Sequence, residues 1–254
     1  VYFGGDIGDL LEGGPLNSIT IQNAQNITFA GAVTITGDLV IKAGQTINFA
    51  KGLSIGGNLV IEQGASVTFS GAVNVGGNLT IGSTQVGSLT FASNVKVTGS
   101  ITLGQSGNYS ALGDVTVKGL LDYDGSGAIY SGGVINFNNI VGSDATLRPN
   151  GLTLGATGAI TFSDAAQVRL DSGISLIVAQ AGSVTFGADV TSGGVTIGSS
   201  GGVSGDIIFR GATRVNSLYV ETTGASARAS FQVLTIKNSA TIIGDNIDLE
   251  YGGG

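Results

Sequence analysis

Apolar and polar positions alternate along this chain in short bursts, and the bursts recur. Ile27-Thr28-Phe29 returns as Ile47-Asn48-Phe49, Val67-Thr68-Phe69 and Leu89-Thr90-Phe91, at spacings of 20, 20 and 22 residues. A second burst follows each one: Val33-Thr34-Ile35, Leu53-Ser54-Ile55, Val73-Asn74-Val75 and Val95-Lys96-Val97. A third completes the unit: Leu39-Val40-Ile41, Leu59-Val60-Ile61, Leu79-Thr80-Ile81 and Ile101-Thr102-Leu103, with Gly37, Gly57, Gly77 and Gly99 at matching turns. Alternation with period two marks a strand with one buried face, and these segments are too short and too β-branched for helices. Three strands per repeat predict a three-sided coil. One such coil cannot bury its own apolar face, so coils must stack in parallel register with inward side chains in columns. The expected fold is therefore an all-β parallel β-solenoid.

Phe29, Phe49, Phe69 and Phe91 are expected to form one interior ladder, with Thr28, Asn48, Thr68 and Thr90 pointing outward. The phenylalanine column resumes at Phe162, Phe186, Phe209 and Phe231, at spacings of 24, 23 and 22 residues, so later coils should carry longer corners. Between them lies an irregular section near 104–157, where only parts of coils can be placed, among them Val115-Thr116-Val117, Val134-Ile135-Asn136-Phe137 and Leu152-Thr153-Leu154. Coils of about 20–24 residues give about 11–12 coils and, with strands roughly 4.8 Å apart, a rod of about 55 Å. Residues 1–16 do not follow the repeat and are expected to act as an N-terminal cap or linker. Residues 17–254 form a single solenoid, in which Ile247-Asp248-Leu249 still has the strand pattern.

Composition narrows the classes of function. The chain has 45 glycines but only two prolines and no Gly-X-Y register, which excludes collagen. The hydrophobic content of 42% against 11% charged residues excludes disorder. Glycine pairs such as Gly56-Gly57 and Gly76-Gly77 are expected to make tight corners with positive φ. Without a strand leading into a helix, they are not phosphate-binding loops. Cysteine, histidine, methionine and tryptophan are absent, which removes disulfides, Cys/His zinc sites and imidazole general bases together. A cysteine-free, Thr/Ser/Asn/Gly-rich chain suits an oxidising exterior, so an extracellular or cell-surface location is expected. The net charge of −7 argues against nucleic acid, and no apolar run is long enough for a membrane-spanning helix.

The phrases Gly56-Gly57-Asn58-Leu59-Val60-Ile61 and Gly76-Gly77-Asn78-Leu79-Thr80-Ile81, with the Ile-Thr-Phe units beside them, resemble the repeats of filamentous-haemagglutinin-like exoproteins and giant bacterial surface adhesins. The resemblance covers most of the chain from Asn17 to Leu249. It implies a secreted β-helical rod that displays adhesive or toxic modules. The function expected is a non-enzymatic structural or adhesive rod, part of a bacterial surface fibre. The alternatives are a self-stacking filament subunit and a polysaccharide-binding or polysaccharide-cleaving β-helix protein.

Candidate chemistry is sparse. Asp122-Tyr123-Asp124-Gly125-Ser126-Gly127 starts like an EF-hand calcium loop, with oxygen ligands at Asp122, Asp124 and Ser126. Gly133, however, stands where a bidentate Glu belongs. No other cofactor is expected. Polysaccharide cleavage requires converging carboxylates, for which the material is Asp164, Arg169 and Asp171, or Asp206, Arg210 and Arg214, and no spacing forces either set together. Tyr109, Tyr123, Tyr130 and Tyr219 are the candidate glycan-contacting aromatics. The outward Thr/Asn column, read as one residue wide, is a poor ice-binding surface. The partners expected are further copies, stacked end to end through exposed strand edges, and glycans of a cell or host surface.

Overall fold

In the computed structural model, residues 1–8, 16–42, 45–105, 112–123, 125–139, 141–142, 150–225, 227–244 and 246–249 are described. They form an all-β parallel solenoid of about ten coils. No helix occurs among the described residues. Every strand pairs in parallel with its counterpart one coil away, which gives three continuous faces. Face one starts at Tyr2–Phe3 and Asn26–Phe29 and continues through Thr46–Phe49 to Asn246–Leu249. Face two runs through Val33–Ile35, Leu53–Ile55 and Val73–Val75. Face three runs through Ile19–Ile21, Leu39–Ile41 and the start of Leu59–Phe69.

The interior is a set of like-on-like columns. Phe3, Phe29, Phe49, Phe69 and Phe91 stack with ring centroids 4.6–4.9 Å apart and ring planes within 8°. Val117 occupies the next place, in register with both Phe91 and Phe137. The ladder then resumes as Phe137, Phe162, Phe186, Phe209 and Phe231 at 4.6–4.7 Å. All ten phenylalanines of the chain therefore lie in one column. Each buried ring is worth about 1.5–3 kcal/mol, and each offset stack adds about 0.5–1.5 kcal/mol. The parallel rise between strands sets the ring spacing, so the column is a direct consequence of one phenylalanine per repeat.

The two stretches set aside in the sequence also join this register. Phe3 stacks on Phe29, while Ile7 and Leu16 bridge to Val33 and Ile35, so residues 1–8 and Leu16 are laid out as a coil. The section near 104–157 keeps all three faces. Leu112–Val117 pairs with the coils on both sides, as do Leu121–Tyr123 and Gly127–Ser131.

The corners correct one expectation. Gly56, Gly57, Gly76 and Gly77 do not have positive φ; that conformation occurs elsewhere, for instance at Gly104 with φ 73°. Close approach is what requires glycine at these corners. A Cβ on Gly56 would lie 2.2 Å from the Thr36 carbonyl oxygen, and one on Gly76 would lie 2.4 Å from that of Gly56. The backbone there is already bonded axially: Gly57 N–H donates to Gly37 O at 2.9 Å and Gly77 N–H to Gly57 O at 2.8 Å. Beside it runs a side-chain ladder. Asp38 Oδ1 accepts from Asn58 N–H at 2.6 Å, Asn58 Oδ1 from Asn78 N–H at 2.8 Å, and Asn78 Oδ1 from Ser100 N–H at 2.8 Å. The Gly-Gly-Asn phrase is thus the chemistry of a bend that must bond to its own copy one coil above.

Val1, Tyr2, Leu16, Val233 and Ile243 are the large hydrophobic side chains exposed among the described residues, and all five belong to the first or the last coil. Leu234, Ile236 and Ile242 are only partly buried beside them. The last strand covers only Arg228–Phe231 of the coil beneath it.

Candidate functional site

The outside of face one carries two parallel columns. The central one reads Thr28, Asn48, Thr68, Thr90, Thr116, Asn136, Thr161 and Thr185. Beside it, Asn26, Thr46, Ser66, Ser88 and Asp114 line up, with Ser88 Oγ donating to Ser66 Oγ at 3.3 Å. In these five coils the outward surface is therefore wider than the single column read from the sequence, because the residue two before the central one also faces outward.

This small, mostly uncharged pattern breaks in the last coils. The central column continues as Ile208 and Ser230; Asp206 immediately precedes the first of these strands and Arg228 opens the second. Asp206 Oδ1 accepts a hydrogen bond from the Arg228 backbone N–H at 2.9 Å, the same axial device as at the Asn corner. The other end of the face-one segment carries Arg210 and, one coil beyond, Gln232. Together with Asp164 they surround a groove of about 620 Å³ that also takes in Gly187, Ile208 and Ser230. Asp164, Asp206, Arg210, Arg228 and Gln232 are all exposed, and neither guanidinium is ion-paired among the described residues. Gly187 matters to this shape, since a Cβ there would lie 2.6 Å from Asp164 Oδ1.

The structure therefore regroups the two charged sets read from the sequence. Asp164 of one set joins Asp206 and Arg210 of the other. Arg169 lies on face two, where its Nε donates to Gln167 Oε1 at 3.0 Å, and Asp171 follows at the next corner. Arg214, also on face two, pairs with Asp189 at 3.3 Å. Arg228 and Gln232 were missed, although the 22-residue step from Phe209 to Phe231 carries Asp206 onto Arg228 and Arg210 onto Gln232.

The tyrosines separate as well. Tyr123 is not a surface aromatic: it points inward in the column of Val97, is fully buried, and donates its hydroxyl to Gly151 O at 3.0 Å. Leu121 and Tyr123 are the apolar members of that strand's alternation, and burial pushes the Tyr123 phenol's pKa up. Tyr130 and Tyr219 are half-buried on the outside of face three. Tyr219 Oη donates to Glu221 Oε2 at 2.6 Å, and this bond, followed by burial and the nearby charge, raises the phenol's pKa. Tyr109 lies outside the described residues. So does Asp124 of the calcium candidate. Asp122 sits within the strand Leu121–Tyr123, buried, in register with Lys96. Ser126 lies at the following corner, where its N–H donates to Ser100 Oγ at 3.2 Å. Among the described residues, no three acidic side chains converge in a geometry that could hold a metal ion.

The chain matches no protein-family model, no curated protein and no solved structure.

Proposed function

We propose that this protein is a non-enzymatic structural or adhesive rod of the cell exterior, of the kind implied by the resemblance to filamentous-haemagglutinin-like exoproteins, and that its copies associate end to end. One observation carries the reading. Among the described residues, the large exposed hydrophobic side chains are confined to the first and last coils, while the outside of face one between them presents columns of Thr, Ser and Asn. Apolar surface next to an unpaired strand edge is where association is expected. A heterologous contact between two different ends does not close on itself, so it builds a filament. The net charge of −7 opposes sideways contact without opposing axial stacking.

Sedimentation velocity over a range of concentrations tests this. The chain should form progressively larger species, and Val233→Lys with Ile243→Lys should hold it at the monomer. A monomer at every concentration would overturn the axial reading. A second reading, polysaccharide binding, is favoured by the groove of Asp164, Asp206, Arg210 and Arg228 and is developed next.

A further inference from the structure

We infer that the face-one groove binds an anionic polysaccharide, its guanidiniums taking the carboxylate or sulfate groups of the sugar chain. The inference rests on the adhesive half of the function proposed above and assigns its ligand class. Arg210 and Arg228 stand at opposite ends of the face-one segments of two adjacent strands, with the Ile208 and Ser230 side chains between them. Four residues of strand separate Asp206 from Arg210, a reach of about 13 Å across the face. Along the axis, the groove spans the coils of Phe162 to Phe231, three ladder steps of 4.6–4.7 Å. Its opening is therefore as long as it is wide and suits a chain of several sugar units.

The chemistry of the lining selects the ligand. An exposed guanidinium without an ion-pair partner presents a planar fork of donors that matches a carboxylate or sulfate. Asp164 and Asp206 supply acceptors for sugar hydroxyls, and Ile208 supplies an apolar patch for the C–H face of a ring. Face one has Thr or Asn at the central position in every coil from Thr28 to Thr185, so the change to Ile208 and Ser230 beside paired charges is local.

Affinity electrophoresis of the whole chain in gels containing polygalacturonate, chondroitin sulfate or neutral dextran tests the inference. Retardation by at least one of the two polyanions, and none by dextran, is expected. Polygalacturonate alone would identify carboxylate as the anion, and chondroitin sulfate alone would identify sulfate. Arg210→Ala with Arg228→Ala should weaken that binding about tenfold or more, while Arg214→Ala, whose side chain lies on another face, should leave it unchanged. Arg210→Gln with Arg228→Gln, which keeps side-chain volume, should behave like the alanine pair and guards against misfolding. No retardation by either polyanion, equal retardation by dextran, or binding unaffected by both double variants would overturn the inference. Sedimentation of the same proteins reports separately on the rod, so loss of glycan binding with axial assembly intact contradicts only the ligand assignment.

Discussion

Thr213 occupies a place in the inward face-two column between Val190 and Leu234, fully buried, and its hydroxyl meets no hydrogen-bond partner among the described residues. Burying an unsatisfied hydroxyl costs about 1–3 kcal/mol, and valine has the same shape. Thr213→Val should therefore raise unfolding stability by about 1–2 kcal/mol in urea titrations, and an unchanged or lower midpoint would show that the hydroxyl is satisfied. Tyr123 gives a pH dependence. The folded chain holds its phenol protonated, so below about pH 10 both folded and unfolded states are protonated and this group leaves stability flat. Above about pH 10 the unfolded state ionises first, and stability should fall by about 1.4 kcal/mol per pH unit. Tyr219, with its phenol raised by Glu221, acts in the same direction. Denaturation series between pH 8 and 12 should therefore show a shallower decline for Tyr123→Phe, and an identical decline would remove Tyr123 as its source. That Tyr123 is buried follows from its place two residues after Leu121. Reading it as an exposed aromatic gave weight to residue type over the period-two pattern.

At the scale of the element, the strands were legible because period two and the 20-residue repeat state the same thing twice. The Phe29, Phe49, Phe69 and Phe91 columns needed only that pattern. Phe137 was harder, since Val117 replaces phenylalanine one coil earlier and interrupts the motif without disturbing the register. The corners were legible in composition but not in cause. Glycine there answers to a carbonyl one coil away, a contact some 20 residues distant in sequence, and local turn chemistry pointed to φ instead. The two causes predict different costs. Gly56→Ala has no φ penalty but drives a Cβ to within 2.2 Å of the Thr36 carbonyl oxygen, and overpacking of this kind costs about 1–3 kcal/mol or more. Asn58→Ala removes one acceptor from the axial ladder and should cost about 0.5–1.5 kcal/mol. Thermal melts that rank Gly56→Ala as the milder change would contradict the close-approach account.

Over the whole molecule, three faces repeat with nearly fixed register from residue 2 to residue 249, and what varies is the outer coat. Half of the groove was legible, since the 22-residue step from Phe209 to Phe231 carries Asp206 onto Arg228, but Asp164 joins them across coils of unequal length, and there only the ladder of the structure shows which positions align. The large exposed hydrophobic side chains of the described residues lie in the first and last coils, which is the ground for proposing end-to-end association. Electron microscopy at increasing protein concentration tests this claim most directly. Filaments of constant width whose length grows with concentration, shortened by Val233→Lys with Ile243→Lys, are the predicted result. Discrete short rods at every concentration, or sheets formed by side-to-side contact, would contradict it.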